Sequence, residues 1–152
     1  MIKHCETKIV PYTVNQMFKL VADIDSYPDF IPWCNAVRIN SRTEGTTLNS
    51  EILDADMLVS FKVFRETFAS KVTLDQLSNK IDVEYINGPF KFLSNNWTFS
   101  SNGNDCRVTF KVAFEFKSKI MQRLIGLVFT EAMKRIVAAF EKEANSRYKT
   151  KS

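Results

Sequence analysis

The hydrophobic pattern changes its period once, near Phe116, and this change constrains the fold more than any other feature. Between residues 106 and 116 every second residue is apolar and the residues between are mostly polar, which is typical of a strand with one buried face. From residue 120 to about residue 148 there is no proline and only Gly126 interrupts, which predicts a helix of about seven or more turns. The chain therefore ends with a strand followed by a long helix.

The first half of this helix is apolar on nearly its whole circumference. The second half is amphipathic, but the first half carries Ile120, Met121, Leu124, Ile125, Leu127, Val128 and Phe129. A helix that is apolar on all sides must be covered on all sides, and a single sheet covers only one. The other side requires a short helix, a bound ligand, a membrane or a partner. Cover by residues 25–33 would be purely structural, whereas cover by a bound ligand would indicate a binding function.

The remaining pattern predicts a single domain of the α+β class over residues 1–152. Residues 2–11 are expected to form a first strand. Thr13 and Gln16 have the spacing of a capping box, which predicts a helix that ends near Asp23.

The middle of the chain is predicted to be mostly strand. A short helix and a turn are expected within residues 25–34, and strands over about residues 35–116. Residues 47–63 alternate, but the phase of the alternation changes near Ile52 and Leu53, which predicts a bulge or a bend there.

The residues that most catalytic and metal sites require are scarce. His4 is the only histidine, and Cys5, Cys34 and Cys106 have no C-x-x-C spacing. The sequence contains no glycine-rich phosphate loop and no dinucleotide-binding motif. We therefore expect no catalytic residue, no metal and no required cofactor. Cys34 and Cys106 are expected to be buried, unreactive thiols.

The net charge of +4 comes from scattered Lys and Arg residues. Because no run of basic residues marks a nucleic-acid site, we expect no DNA partner. No apolar stretch approaches the ~20 residues of a membrane span, and the N-terminus lacks the apolar region of a secretory signal. The odd number of cysteines favours a reducing compartment. These features predict a cytoplasmic protein, for which any membrane contact would be peripheral.

Two multi-residue motifs resemble those of a known family. Residues 27–34 read YPDFIPWC, and residues 88–99 read GPFKFLSNNWTF. They are similar to the YPxFxPWC and GPFxxLxNxWxF motifs of the coenzyme Q-binding START-domain family. The resemblance covers nearly the whole chain. It implies a helix-grip fold, in which a curved antiparallel sheet wraps around a long C-terminal helix and two short helices follow the first strand. It also implies a non-enzymatic protein that binds ubiquinone or a similar polyprenyl lipid in support of respiration.

The helix pattern, the strand faces and the two motifs together indicate a ligand site. We expect a cavity between the sheet and the C-terminal helix, with residues 25–34 as its lid. Because a quinone carbonyl accepts hydrogen bonds, the indole N–H of Trp33 or Trp97 is expected to donate to it. The expected ligand-binding residues are Tyr27, Phe30, Trp33, Phe90, Leu93, Trp97, Phe110, Phe114, Leu124, Val128 and Met133.

Two other classes of function stay open on the sequence alone. Bacterial members of the same family are of the ribosome-association-toxin (RatA) type, so the resemblance also implies a regulator that binds the large ribosomal subunit and blocks subunit association. The wider START/polyketide cyclase superfamily includes aromatases and cyclases, but the scarcity of acid–base groups disfavours an enzyme. The resemblance places a bacterial member in the cytoplasm, peripheral at the inner membrane, and a eukaryotic one on the matrix side of the inner mitochondrial membrane.

Overall fold

A computed structural model of the protein describes residues 1–61 and 64–148. The elements, in chain order, are β1 (Ile2–Val10), α1 (Val14–Ala22), a 3₁₀ turn (Ile24–Ser26), α2 (Tyr27–Phe30), β2 (Cys34–Glu44), β3 (Ser50–Phe61), β4 (Phe64–Asp75), β5 (Lys80–Asn87), β6 (Phe90–Asn102), β7 (Asp105–Phe116) and α3 (Lys119–Tyr148). The predicted order of elements is confirmed. The end of the strand predicted over 47–63 and the tail at 149–152 lie outside the described residues.

The strands of the described chain form one seven-stranded antiparallel sheet in the order β1-β7-β6-β5-β4-β3-β2. Each strand from β2 to β7 pairs with its neighbour in sequence, and β1 returns to pair with β7. Hairpins explain most of this order, because short turns join antiparallel neighbours. In the two-residue turn between β6 and β7, Gly103 has a φ of 65°, a left-handed conformation that glycine adopts without steric cost.

The sequence predicted a bulge or a bend in β3 near Ile52 and Leu53, and the bulge is wrong. The pairing of β3 with β4 runs without a register shift, and the irregular positions lie on β2, between Cys34 and Ala36 and between Ile39 and Ser41. Leu53 is fully buried and keeps the alternation of β3 intact. The apparent change of phase arises because Ile52, on the other face of the strand, is also apolar.

Helix α1 begins with the predicted capping box, which is confirmed. The backbone N–H of Gln16 donates to Thr13 Oγ1 at 3.1 Å, and the backbone N–H of Thr13 donates to Gln16 Oε1 at 2.9 Å. These two bonds satisfy donors that have no partner within the helix. The buried face of α1, which includes Met17, Phe18 and Leu20, packs in the protein core.

In the first half of the long helix α3, the rest of the protein covers only one side. Met121, Ile125 and Met133 pack around the buried Phe129, and these four residues share one face of the helix. On the opposite face Ile120, Leu124 and Leu127 are exposed, with relative accessibilities of 73%, 44% and 79%. The segment that contains α2 packs instead against Phe140, in the second half of α3. None of the described helices is long and apolar enough to cross a bilayer.

The core is divided into two clusters. The first core cluster lies around α1 and the second half of α3 and includes Leu20, Trp97 and Phe140. The second core cluster lies under the first half of α3, and its buried members are Phe64, Phe90, Phe114, Phe116 and Phe129. The sheet therefore grips the helix at two places, which is the helix-grip arrangement expected from the sequence.

Candidate ligand-binding cavity

A cavity of ≈ 220 Å³ lies at the junction of the two core clusters. Trp97 and Phe140 reach it from the first cluster, and Phe68, Leu93 and Val112 reach it from the periphery of the second. The residues that line it are Ile24, Tyr27, Ile31, Cys34, Ala55, Met57, Phe68, Ser70, Val72, Ile81, Val83, Leu93, Asn95, Trp97, Phe110, Val112, Ile136 and Phe140.

Six neighbouring strands, from β2 to β7, contribute to this lining. Neighbouring strands lie about 4.8 Å apart, so a flat sheet of six would span about 24 Å. Side chains from both ends reach one small cavity only because the sheet curves around it. Along β6 the residues Leu93, Asn95 and Trp97 alternate with outward-facing ones, and along β4 Phe68, Ser70 and Val72 do the same.

Few polar groups face the cavity, and no residue with a charged side chain is among its lining within the described chain. Ser70, on β4, is the one polar residue of the described chain that is buried, with a relative accessibility of 6%. The side-chain hydrogen bonds found within residues 1–61 and 64–148 do not include its hydroxyl. No side-chain nitrogen or oxygen atom of the described residues is fully buried without a hydrogen-bond partner, so the Ser70 hydroxyl keeps contact with the open space of the cavity. It is therefore available to bond a ligand there.

Asn95 is the second polar group of the wall, and its own hydrogen bonds are largely satisfied. Its side-chain amide donates to the backbone oxygen of Lys111 at 2.9 Å, and its Oδ1 accepts from Trp97 Nε1 at 3.1 Å. Because Asn95 already accepts from the Trp97 N–H, donation from Trp97 to a ligand would require this bond to break, and it stays a prediction.

One wall of the cavity is formed by residues 24–31, and we call these residues the lid segment. Ile24, Tyr27 and Ile31 face the cavity from this segment, and the Tyr27 hydroxyl donates to the backbone oxygen of Val21. Desolvation by burial, with smaller effects from Cys34 and Asp23, raises the pKa of Tyr27 above its usual value. The phenol therefore stays neutral and acts as a hydrogen-bonded part of the wall.

The lid segment is held against α3 by rings and by one arginine. The rings of Tyr27 and Phe30 each lie 5.5 Å from that of Phe140, both edge to face. Arg147 donates to Asp23 at 3.0 Å, and its guanidinium lies 5.8 Å from the centre of the Phe30 ring. The end of α3 therefore fixes the position of the lid.

The cysteines of the cavity region have the properties of buried thiols. Cys34 lines the cavity and Cys106 lies in the first core cluster, and neither forms a disulfide. Burial raises the pKa of each thiol to about 11. Both are thus protonated and poorly nucleophilic near neutral pH, in line with the sequence prediction. Over the described residues, no group of three His, Cys, Asp or Glu is placed to hold a metal ion.

The structure separates the predicted site residues into groups. Tyr27, Leu93, Trp97 and Phe110 line the cavity together. The others lie around it or away from it: Phe30 within the lid segment, Phe90, Phe114 and Met133 in the second core cluster, Trp33 and Val128 along an open groove beside Phe61, and Leu124 on the exposed face of α3. Trp33 packs its ring against Phe61 at 4.9 Å. Contact of these residues with a ligand stays a prediction.

Sequence reasoning missed both polar groups of the wall. Ser70 has the same parity as Val72 and Leu74, and Asn95 has the same parity as Leu93 and Trp97, so each interrupts an apolar strand face. A polar residue on a face that is otherwise buried was the signal that would have identified them.

The chain is similar to known proteins in sequence and in overall fold. The sequence model of the family described as polyketide cyclase/dehydrase and lipid transport matches residues 10–141. A ribosome association toxin RatA from Rickettsia prowazekii is 36% identical over 95% of this chain and 97% of its own length. The mitochondrial coenzyme Q-binding protein COQ10 homolog B from Xenopus laevis is 32% identical over 97% of this chain, which spans 59% of that protein. The solution structure of an 18 kDa protein from Caulobacter crescentus, 35% identical, superposes with a TM-score of 0.82 over 99% of this chain and 100% of the other.

Proposed function

Because the chain belongs to the polyketide cyclase/dehydrase and lipid transport family, we propose that it binds a polyprenyl quinone and performs no chemistry on it. The observation that carries the proposal is the uncharged cavity between sheet and helix, whose wall includes the hydroxyl-bearing residue Ser70. The START-like fold and the kinship with a coenzyme Q-binding relative support it. A ligand of this kind would bring the protein to a respiratory membrane.

The chemistry of a quinone fits the wall of the cavity. A charged ligand would be left without a counter-ion there, which is costly, whereas a quinone ring is neutral. Its carbonyl oxygens accept hydrogen bonds, and the hydroxyl of Ser70 donates. Burial of its apolar surface supplies roughly 25 cal/mol per Å², part of which offsets the cost of association.

The lining also supports a role in binding and not in catalysis. It contains no carboxylate, histidine, lysine or arginine within the described chain, and its thiol and phenol have raised pKa values. General acid–base catalysis requires a group that exchanges a proton near the working pH, and these groups hold theirs tightly. The non-enzymatic reading stays a prediction, and incubation with a quinone should return it chemically unchanged by mass spectrometry.

Tryptophan fluorescence tests the proposal directly. The protein has two tryptophans, and only Trp97 lines the cavity, so a Trp33→Phe variant reports from the cavity alone. Addition of a short-tailed ubiquinone should quench this signal saturably, and an isoprenoid alcohol without carbonyls should bind more weakly. Absence of saturable quenching, together with absence of quinone in organic extracts of the purified protein, would overturn the proposal.

A matched pair of serine variants tests the hydroxyl. Ser70→Ala should weaken quinone binding about three- to tenfold, the value of one hydrogen bond. Ser94→Ala is the control, because Ser94 alternates with the cavity-lining Leu93 and Asn95 and so faces away from the cavity. Equal affinities for all three proteins would exclude Ser70 as the anchor.

A second candidate function is a regulator that binds the large ribosomal subunit and blocks subunit association, and the names of the relatives favour it more strongly than they favour quinone binding. Several bacterial relatives, at 28–36% identity, are named ribosome association toxins. The net charge of +4 suits a phosphate-rich partner. Sucrose-gradient profiles with added protein should then show large subunits that fail to join small ones. If the protein does not sediment with large subunits at physiological salt, this candidate fails.

A further inference from the structure

One face of α3 exposes apolar side chains to solvent. Ile120, Leu124 and Leu127 are separated by four and three residues, so they form one continuous line on the helix, which we call the α3 stripe. Their relative accessibilities are 73%, 44% and 79%. The same face continues with the exposed Glu131 and Lys134, so the apolar exposure is confined to the first turns of the helix.

Three basic residues flank the α3 stripe. Lys117, Lys119 and Arg123 are all exposed, and the segment from 117 to 130 contains no acidic residue. Within the part of the chain that the structure describes, none of the three forms an ion pair. The N-terminal end of α3 adds the partial positive charge of the helix dipole. The patch is therefore both apolar and unneutralised.

The α3 stripe also lies next to the ligand cavity. Leu127 shares an open groove with Trp33 and Ala132, and one helical turn beyond Ala132 the side chain of Ile136 lines the cavity. Likewise Trp33 faces the groove while its neighbour Cys34 faces the cavity. A molecule docked on the stripe would be adjacent to the cavity wall.

We propose that the α3 stripe and its three cations dock on the surface of an anionic phospholipid membrane. The inference rests on the proposed function, because a lipid ligand has to be collected from a bilayer. The apolar side chains enter the boundary between headgroups and acyl chains, and the cations meet the phosphates. Since α3 cannot span a bilayer, it lies along the surface.

Two other occupants fit the patch less well. In a twofold contact between two copies of the chain, the same surface meets itself, so Lys117, Lys119 and Arg123 would approach their own counterparts. Nucleic-acid phosphates would neutralise these cations but would leave Ile120 and Leu127 without an apolar partner. A membrane surface satisfies both the charge and the apolar area.

Vesicle flotation tests the docking. The wild-type protein should float with vesicles of phosphatidylcholine and phosphatidylglycerol and much less with phosphatidylcholine alone, and added salt should weaken the binding. The double variant Ile120→Gln with Leu127→Gln should lose about tenfold or more of the binding, since two apolar insertions are removed. The control is the double variant Leu48→Gln with Leu77→Gln. These leucines are 74% and 63% exposed and lie in the turns before β3 and after β4, away from α3 in sequence. The control variant should float like wild type.

The outcomes separate this inference from the proposed function. Retained flotation of the Ile120/Leu127 variant, or an equal loss in the control, would overturn the docking surface while quinone quenching in solution stands. If the quinone does not quench Trp97 saturably while the wild-type protein floats normally, quinone binding is overturned and the docking surface stands. The docking surface would also be overturned by a wild-type protein that binds no vesicles and instead uses Ile120 and Leu127 to dimerise, as seen by light scattering, or to bind large ribosomal subunits.

Discussion

The indole N–H of Trp97 donates a 3.1 Å hydrogen bond to the side-chain oxygen of Asn95, two residues earlier on the same face of β6. Asn95 in turn donates to the backbone of Lys111 on β7. The two residues thus tie a cavity wall of otherwise apolar side chains to the neighbouring strand. The ring of Trp97 is held 5.2 Å from that of Phe140 on α3, so the same bond orients a contact between sheet and helix.

Replacing Asn95 should therefore destabilise the fold. In Asn95→Ala the Trp97 N–H loses its acceptor inside the protein, which should lower the free energy of unfolding by about 1–3 kcal/mol in urea titrations. Asn96→Ala is the matched control, because Asn96 bonds Asp82 on the other face of the sheet and should cost less. A larger loss in Asn96→Ala than in Asn95→Ala would contradict this account.

Arg147 should control the mobility of the lid segment more than the global stability. Because the Arg147–Asp23 pair is partly exposed, Arg147→Ala should cost about 1 kcal/mol or less of unfolding free energy. Amide hydrogen exchange in the lid segment should nevertheless become faster, since the contacts to Asp23 and Phe30 are lost together. Arg135→Ala removes a more exposed pair with Glu131 and should leave this exchange unchanged. Unchanged exchange in Arg147→Ala would show that the rings alone hold the lid.

Two glycines should respond in opposite directions to the same substitution. Gly126 lies within α3, and a Cβ there would meet only Ile2 Cδ1 at 3.7 Å, so Gly126→Ala should stabilise the protein by about 0.5–1 kcal/mol. Gly88 has a φ of 148°, and its Cβ would lie 2.7 Å from Cβ of Phe68, so Gly88→Ala should destabilise by more than about 1 kcal/mol. Thermal or urea unfolding of both variants measures the difference, and effects of the same sign would refute the prediction.

The buried thiols predict a loss of stability at alkaline pH. Their folded pKa of about 11 lies above the ordinary value of 9.0, so the unfolded chain releases these protons first as the pH rises. The contribution of the two protonated thiols to the free energy of unfolding is complete below about pH 9 and is lost as the pH rises through about 11. Cys34→Ala should make the unfolding free energy fall less steeply over this interval, whereas Cys5→Ala, which keeps both buried thiols, should follow wild type. Identical slopes in the two variants would argue against the role of Cys34.

The secondary structure was predictable because its signals are local. The alternation in β7, the capping box of α1 and the proline-free α3 each depend on neighbouring residues, and short turns account for the order from β2 to β7. The pairing of β1 with β7 joins distant segments, so the helix-grip arrangement followed from the family resemblance instead. The same alternation places Leu93, Trp97 and Phe110 on the inner face of the sheet, where the cavity is found.

The rotation of α3 was not predictable by the same means. Its first half is apolar all round, so the pattern holds no preferred phase and does not say which side meets the sheet. Packing against the second core cluster selects Met121, Ile125 and Phe129 as the inner face, and Leu124 consequently lies outside. The cavity lies beside Ile136 instead, in the half of the helix whose pattern is ordinary.

The volume of the cavity has a consequence for what the protein distinguishes. A space of ≈ 220 Å³ is below the range of about 300–1,000 Å³ typical of pockets for drug-sized ligands. On the proposed function, this volume would hold a substituted ring and the first carbons of a chain, and most of a long isoprenoid tail would stay outside the protein wall. Affinity should then depend on the ring substituents and hardly on tail length. Such a protein would recognise the ring of its lipid while the tail is still embedded in the membrane, and would not shield the whole lipid molecule from water.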